Sequence, residues 1–184
     1  MTRTLLRLAA FAAFVLSLGA QTAFAAGNDL PLVLHSVAPT RLVVPAIGVD
    51  APIVELGLKA DGAMDSPVGP DPVGWYSFSP TPGNPGNAVF SGHRDWHTGV
   101  TGVFWRLGDL KPGDKISILL ADGSQIGYQV LQSVLIGPDD MPIDQVVGQT
   151  VDELATFISC EGVFDARSRD YDKRRVVWAK RIAF

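Results

Sequence analysis

The sequence predicts a mainly β domain, either a closed barrel or a sandwich, and three observations support this fold class. Short runs with β-strand character recur along the chain, each bounded by Gly, Pro, Asn or Asp. Two of these runs are joined by an Asp-Gly turn, and segments with helical character are few. With 184 residues, 47% of them hydrophobic, the chain is long enough for one domain with its own core.

The candidate strands follow one another from residue 41 to residue 183. They are Arg41–Val44, Pro52–Leu56, Asn87–Ser91, Lys115–Leu120, Gln125–Ile136, Leu154–Cys160 and Arg174–Ala183. Between the fourth and fifth of these, Asp122-Gly123 supplies the positive φ angles of a tight hairpin. The proline-rich stretch Ser77–Pro85 is predicted to be an ordered loop, because each proline removes a backbone donor and fixes its own φ.

Two segments are predicted to contain short helices. The segment Gly102–Leu110 is predicted to form one or two helical turns. Thr150-Val151-Asp152-Glu153 fits a capping box that opens a helix before the strand at Leu154.

The N-terminus has the pattern of a secretory signal peptide. Arg3 and Arg7 precede the apolar run Leu8–Ala20, and the small-residue sequence Ala23-Phe24-Ala25 follows. This order of charge, apolar run and cleavage motif predicts that residues 1–25 are removed on export.

An uncleaved membrane anchor through residues 4–20 is the alternative, although a span needs about 20 apolar residues. Residues 26–40 have little pattern and are interpreted as a linker, which leaves 41–184 as the folded domain. The protein is therefore expected to be extracytoplasmic, either secreted or anchored to the outer face of the plasma membrane.

Composition excludes several classes of protein. The formal net charge is −4 and no block of Lys or Arg occurs, which argues against a nucleic-acid binder. A single cysteine can form neither an intramolecular disulfide nor a zinc site built from paired CxxC motifs.

Cys160 is the first candidate for chemistry. It ends an apolar strand, shares a face with Ile158 by alternation, and is followed at once by Glu161-Gly162. A lone thiol in an exported protein is unusual and can be reactive. The alternative is a small buried hydrophobe, since free cysteine is among the most buried residue types.

His93 is the second candidate, at the end of another apolar run and just past Gly92. A thiol with a pKa of about 8.5 needs a basic or cationic neighbour to act as a nucleophile at neutral pH. An imidazole from a different strand can be that neighbour and can later protonate a leaving amine. The alternative is a surface imidazole at the start of a loop.

Arg174 and Arg175 open the last candidate strand, where alternation sends their side chains to opposite faces. Only Arg174 shares a face with Val176 and Trp178. A fixed guanidinium can stabilise a developing oxyanion, whereas the alternative is a pair of ordinary surface cations.

A competing interpretation is a metal site made from His93 and His97, with Asp95 or Cys160 added. It lacks the glutamate of the H-E-x-x-H motif, and Trp96 and Gly99 disfavour a helix there. We therefore expect neither a metal nor a cofactor.

These candidate segments together resemble the sortases, bacterial surface cysteine transpeptidases. The resemblance runs from Arg41 to Ala183 and keeps the order His, Cys, Arg. Its main segments are Ser91-Gly92-His93-Arg94-Asp95, Thr156-Phe157-Ile158-Ser159-Cys160 and Arg174-Arg175-Val176-Val177-Trp178-Ala179, with Gly74-Trp75-Tyr76 and Leu110-Lys111-Pro112-Gly113-Asp114 in support. The sequence from Cys160 to Asp165, with Tyr171 downstream, is most similar to class F, with class E next.

The resemblance implies a closed eight-stranded β-barrel with short helices and a role for each candidate. Cys160 would be the nucleophile that attacks a Thr carbonyl in an LPXTG-type sorting signal. His93 would be the acid and base, and Arg174 the oxyanion or substrate-positioning donor, because it stands five residues before Ala179. Arg175 is the alternative, since class F enzymes often carry their Arg elsewhere.

The family also implies the partners and the reaction. Secreted proteins with a C-terminal sorting signal would form a thioacyl intermediate, and an amine of the cell wall or of a pilin would resolve it. The loop between Ile136 and Thr150 would form part of the substrate groove. Some sortases bind Ca²⁺, for which Asp139, Asp140 and Asp144 are candidate ligands, although acidic loops are usually only solvated.

Two alternatives to transpeptidation stay open. Water rather than an amine could resolve the intermediate, which would make the protein a thiol peptidase. The chain could also be a non-catalytic β-barrel binding module of the cell envelope, with Cys160 as a buried structural residue. Reactivity of the thiol in the folded protein separates the enzymes from the binding module.

Overall fold

The strands of the domain close into a barrel. The computed structural model describes residues 37–96, 99–148 and 150–183, and in this part of the chain it has eight strands. These are β1 (Pro39–Val44), β2 (Val49–Leu56), β3 (Val73–Tyr76), β4 (Gly86–Ser91), β5 (Lys115–Leu120), β6 (Gln125–Ile136), β7 (Glu153–Asp165) and β8 (Asp170–Ile182). Their order around the barrel is β1-β2-β3-β4-β7-β8-β6-β5. The predicted closed eight-stranded barrel is confirmed, and the sandwich is excluded.

The predicted hairpin between β5 and β6 is confirmed, and both strands begin and end at the predicted residues. Gly123 has a φ of +85°, which a residue with a side chain rarely adopts. The turn is closed by two backbone bonds: Gly123 N–H to the Leu120 carbonyl at 3.0 Å and Leu120 N–H to the Ser124 carbonyl at 2.9 Å. The loop predicted for Ser77–Pro85 is also present.

Strand β3 was not predicted, and β7 and β8 are longer than expected. All four residues of β3 are buried, so the strand has no alternation of polar and apolar residues to reveal it. Gly74 within it is crowded, since a Cβ there would lie 2.0 Å from the Leu56 side chain. Beyond Cys160, β7 and β8 continue as a hairpin whose side chains are largely exposed or half-buried.

Helical structure is short in the described residues. Helix α1 spans Ile143–Val147, and 3₁₀ turns occur at Pro45–Ile47, Leu107–Asp109 and Pro138–Asp140. The turn at Leu107–Asp109 confirms the helical character expected for that region.

The prediction of a helix at Thr150–Glu153 is wrong. Glu153 instead begins β7 and pairs with Gly86 of β4 in a parallel ladder, so its backbone is extended. The Thr150 hydroxyl does accept a bond from the Asp152 N–H at 3.1 Å, but this closes a local turn only. The barrel ladder therefore overrides a local capping pattern.

The expected signal peptide at residues 1–25, the alternative anchor at 4–20 and most of the linker at 26–40 lie outside the described residues. Among the helices that the structure describes, none has the length and apolar character needed to cross a membrane.

The barrel is filled by one apolar cluster, and a second cluster lies on its outer face. Phe90 and Phe157 stack at 5.1 Å between ring centroids inside the barrel, and Phe104 packs edge-on against Phe157 at 6.4 Å. The outer cluster includes Val176 and Trp178 of β8 and is covered by the segment that contains α1. Trp178 is 6% exposed, in agreement with a core role.

Helix α1 is fixed to the barrel by one buried asparagine. The Asn87 amide donates to the carbonyls of Gln145 and Val146 at 3.1 and 2.5 Å, and its oxygen accepts from the Thr156 hydroxyl at 2.9 Å. The Trp178 indole donates a further bond to Gln145 at 3.2 Å. Because buried polar groups are costly when unpaired, this network fixes the loop after β6 in one position.

We expect Asn87→Ala to lower the free energy of unfolding by about 2–3 kcal/mol, because it leaves buried partners without hydrogen bonds. Thr156→Val is the matched control, which removes one bond of the network and should cost about 1 kcal/mol. Chemical denaturation measures both values. A loss below roughly 0.5 kcal/mol for Asn87→Ala would contradict the anchoring role.

Candidate active site

Cys160 and Arg174 face each other across the β7–β8 ladder. The register pairs Cys160 with Arg174 and Ile158 with Val176, and strand alternation puts all four side chains on the outer face. Phe157, in contrast, points into the barrel. The predicted shared face of Ile158 and Cys160 is therefore observed, and Arg174 rather than Arg175 shares it.

His93 reaches the same edge of the barrel through a parallel pairing. Strands β4 and β7 run parallel with Ser91 opposite Ile158, so two residues further on His93 comes level with Cys160. Two hydrogen bonds hold the strand ends together here. Gly92 N–H donates to the Ile158 carbonyl at 3.1 Å, and the buried Ser159 hydroxyl donates to the Gly92 carbonyl at 2.9 Å.

The tautomer of His93 follows from its hydrogen bond. The ring Nε2 lies 2.8 Å from the carbonyl oxygen of Pro67. Since a carbonyl can only accept, Nε2 carries the proton, and Nδ1 of the neutral ring is left as an acceptor. Trp96 packs edge-on against the ring, with 4.8 Å between centroids.

The loop that contains Pro67 is bound by Tyr76 two residues before that carbonyl. The Tyr76 hydroxyl donates to the Asp65 carbonyl at 2.7 Å and accepts from the Ser91 hydroxyl at 2.8 Å. Burial raises the pKa of Tyr76, which keeps this hydroxyl protonated as a donor. The loop before β3 is thereby tied to β4 close to His93, and sequence reasoning missed this because the acceptor is a backbone atom.

The surroundings of Cys160, burial above all, favour the thiol over the thiolate. Burial raises the pKa of Cys160, the Arg174 guanidinium opposes this, and the carboxylates of Asp170 and Asp95 add to it. The thiol is thus mostly protonated at neutral pH, and a nearby base must take its proton before it can attack.

The two arginines have different partners. Arg174 Nη2 donates to Asp170 Oδ2 at 2.6 Å, and its Nη1 donates to the carbonyls of Tyr171 and Lys173 at 2.8 and 3.0 Å. Arg175 lies on the opposite face and forms a two-bond pair with Glu161, at 2.8 and 2.9 Å. This pair holds the pKa of Glu161 below its ordinary value.

An open cleft of about 890 Å³ contains both the thiol and the imidazole. Its lining residues are His93, Arg94, Asp95, Trp96, Gly99, Cys160, Phe164, Ala166, Arg169, Asp170 and Tyr171. Arg174 is not among them, although its partners Asp170 and Tyr171 are. The sequence analysis did not single out Asp170, which positions Arg174 from four residues away.

The described residues contain no group of three or more His, Cys, Asp or Glu side chains arranged to hold a metal ion. His97, which the competing metal interpretation needs, lies outside the described residues.

The chain belongs to the sortase family, since the family model for the sortase domain matches residues 42–182. It is 37% identical to Sortase D of Bacillus subtilis (strain 168) over 102 residues. That match covers 55% of this chain and 44% of the relative, so the chain spans less than half of that protein's length.

Solved sortase structures have the same fold. Sortase C-1 from Actinomyces oris superimposes with a TM-score of 0.63 at 24% identity, covering 79% of this chain and 74% of that one. A lid mutant of Sortase A from Corynebacterium diphtheriae gives 0.63 at 21% identity, with 80% and 71% covered. The Clostridium perfringens Sortase D5 transpeptidase gives 0.59 at 25% identity, with 79% of each chain covered. The similarity to class F or E remains a prediction.

The pH dependence of Cys160 alkylation tests this electrostatic description. Because burial raises the pKa of Cys160, the iodoacetamide rate should rise with pH to a midpoint above that of a free thiol. Arg174→Gln should move the midpoint higher, since it removes the charge that favours the thiolate. Arg175→Gln is the matched control and should move it less; the opposite order would contradict the assignment.

Proposed function

We propose that this protein is a cysteine transpeptidase that cleaves an LPXTG-type sorting signal and joins the cleaved protein to an amine. The observation that carries the proposal is the meeting of Cys160 and His93 in one cleft, at the ends of paired parallel strands. Membership of the sortase family supports the same activity. The alternative of a purely structural thiol is disfavoured, because Cys160 lines an open cleft.

In the proposed reaction, His93 Nδ1 takes the proton from the Cys160 thiol as the sulfur attacks the Thr carbonyl. The imidazolium then protonates the amine of the departing peptide, and a thioacyl bond remains on Cys160. An incoming amine gives a proton back to His93 and attacks the thioester. The C–S bond breaks, the joined product leaves, and His93 passes the proton to the sulfur, which restores the thiol.

Arg174 is proposed as the donor that stabilises the oxyanion of this reaction. It lies directly across the ladder from Cys160, and its positive charge lowers the pKa of the thiol. Its Nε–H and its second Nη2–H take part in none of the bonds to the hairpin described above, so they are proposed to serve the substrate.

The apolar side chains beside Cys160 suit the first residues of an LPXTG-type signal. Ile158 on the same face packs in the outer cluster, together with partly buried side chains from β2, β6, α1 and two loops. These are Leu56, Met64, Val134, Ile136, Met141 and Val147. We therefore propose that the leucine and proline of the signal bind along this face, under the loop that α1 and Asn87 hold in place.

The proposed partners are exported proteins with a C-terminal sorting signal and an amine of the cell wall or of a pilin. The proposed location is extracytoplasmic, with residues 1–25 acting as a signal peptide or, in the alternative, as an anchor. This location follows from the N-terminal sequence pattern and from the site of sortase action.

The test is a ligation assay with the purified protein, an LPXTG-type peptide and an excess of a glycine-based amine. Intact-protein mass spectrometry should detect a thioacyl adduct on Cys160, and peptide mass spectrometry should detect the joined product. Both should be absent in Cys160→Ala, and His93→Ala should reduce the rate at least 100-fold, as expected for loss of a general acid and base.

The products discriminate the alternatives. An adduct followed by cleaved but unjoined peptide, with several amines offered, would favour the thiol peptidase. No adduct with several signal variants, together with a Cys160 that iodoacetamide does not modify, would favour the binding module and contradict the proposal.

A further inference from the structure

A hydrogen bond between Tyr171 and Asp95 spans the cleft that contains Cys160 and His93. The Tyr171 hydroxyl donates to Asp95 Oδ2, and both residues line the cleft. We propose that Tyr171 and Asp95 are a pair of positioning residues that hold the His93 imidazole at the distance from Cys160 that proton transfer needs. This inference rests on the proposed function, because it assigns a role within the same reaction.

The two walls of the cleft belong to different parts of the chain. One wall is the His93 segment, residues 92–96, and the other is the Cys160 hairpin, formed by the ends of β7 and β8. Backbone bonds and the Ser159 hydroxyl join the walls at the base of the cleft. Asp95 and Tyr171 join them again two residues beyond His93, so the imidazole lies between two points of attachment.

A β-bulge directs the hairpin toward Asp95. Glu161 pairs with Lys173 but Phe164 pairs with Tyr171, so β7 has one extra residue at this point. Gly162 in the bulge has a φ of +94°, and a Cβ there would lie 2.1 Å from Asp172 Oδ1. Glycine directly after Cys160-Glu161 is therefore required by the backbone of the hairpin.

The Tyr171 side chain is held firmly at this position. Its ring packs against Phe164 with 5.3 Å between centroids, and its carbonyl accepts a bond from Arg174 at 2.8 Å. Its N–H donates to Asp170 Oδ1 at 2.7 Å, while the other oxygen of Asp170 holds Arg174. Asp170 thus holds both the backbone of Tyr171 and the guanidinium of Arg174.

The opposite wall is equally constrained. Asp95 forms a β-bridge with Thr101, and the Arg94 carbonyl accepts from Gly102 at 2.7 Å. The His93 carbonyl accepts from the Phe104 N–H at 2.9 Å. Because both walls are held by their own bonds, the Asp95–Tyr171 bond sets the spacing between them rather than the shape of either.

The Tyr171 hydroxyl also keeps the proton that this bond needs. Desolvation and the Asp95 carboxylate raise the pKa of Tyr171, so the phenol remains a donor throughout the neutral range. A bond between a phenol and a carboxylate is charge-assisted and stronger than one between neutral groups.

The first test compares Tyr171→Phe, Asp95→Asn and the double variant in the ligation assay. Each single variant should lower kcat about tenfold with little change in KM, because the spacing of reacting groups changes while the peptide groove does not. The double variant should be no slower than the slower single variant, as expected for one shared bond. Asp50→Asn, which breaks the exposed Asp50–Arg41 pair on β2 and β1, is the control and should leave kcat unchanged.

The second test needs no peptide and separates this inference from the proposed function. His93→Ala should slow alkylation of Cys160 at pH 7 about tenfold when Tyr171 is present, and less than twofold in the Tyr171→Phe background. An equal effect of His93→Ala in both backgrounds, or additive losses in the double variant, would overturn the positioning role. If ligation fails in every variant but alkylation behaves as expected, the positioning role stands and the proposed function is wrong.

Discussion

The parallel pairing of β4 with β7 is the constraint on which the site depends. Ser91 lies opposite Ile158, and the next two residues on each strand carry the chain to His93 and Cys160. Parallel neighbours end at the same edge of a sheet, so His93 and Cys160, 67 positions apart in sequence, come level with each other. The same ladder is fixed at its other end by Asn87, which binds both β7 and the helix that covers the outer face.

The two walls of the cleft carry different groups, and each is set by its own surroundings: a hydrogen bond orients His93, and burial acts on Cys160. A backbone carbonyl holds the proton on Nε2 of His93 and leaves Nδ1 as an acceptor, the atom proposed above as the base. Burial raises the pKa of Cys160, so the thiol stays protonated until a base removes its proton. This agrees with the proposed role, in which the sulfur attacks only once the peptide is bound. Arg174 lies across the ladder from the thiol, and its positive charge lowers the pKa of Cys160. The carboxylates of Asp170 and Asp95, one on each wall, partly offset this effect.

Much of the fold could be predicted because its strands carry local signals. The Asp122-Gly123 hairpin and the alternation that puts Arg174 on the face of Val176 and Trp178 depend only on neighbouring residues. That this is also the face of Cys160 depends on the β7–β8 register. Strand β3 could not be predicted, since it is buried on both faces and has no alternation. The capping pattern at Thr150–Glu153 predicted a helix because a local motif does not reveal a ladder with a strand more than sixty residues away. At the site, side-chain types revealed Cys160 and His93, but the acceptor that orients His93 is a backbone carbonyl, and the contact between Tyr171 and Asp95 depends on a bulge.

The central claim is that the imidazole of His93 exchanges protons with the thiol of Cys160. The most direct measurement is an NMR titration of the His93 ring resonances, assigned with His93→Ala, in the native protein and in Cys160→Ala. Coupled groups titrate as a pair, so the native protein should have a second inflection in the range where the thiol ionises, and Cys160→Ala should lack it. Identical titration curves in the two proteins would contradict the account, because His93 would then not sense the ionisation of Cys160.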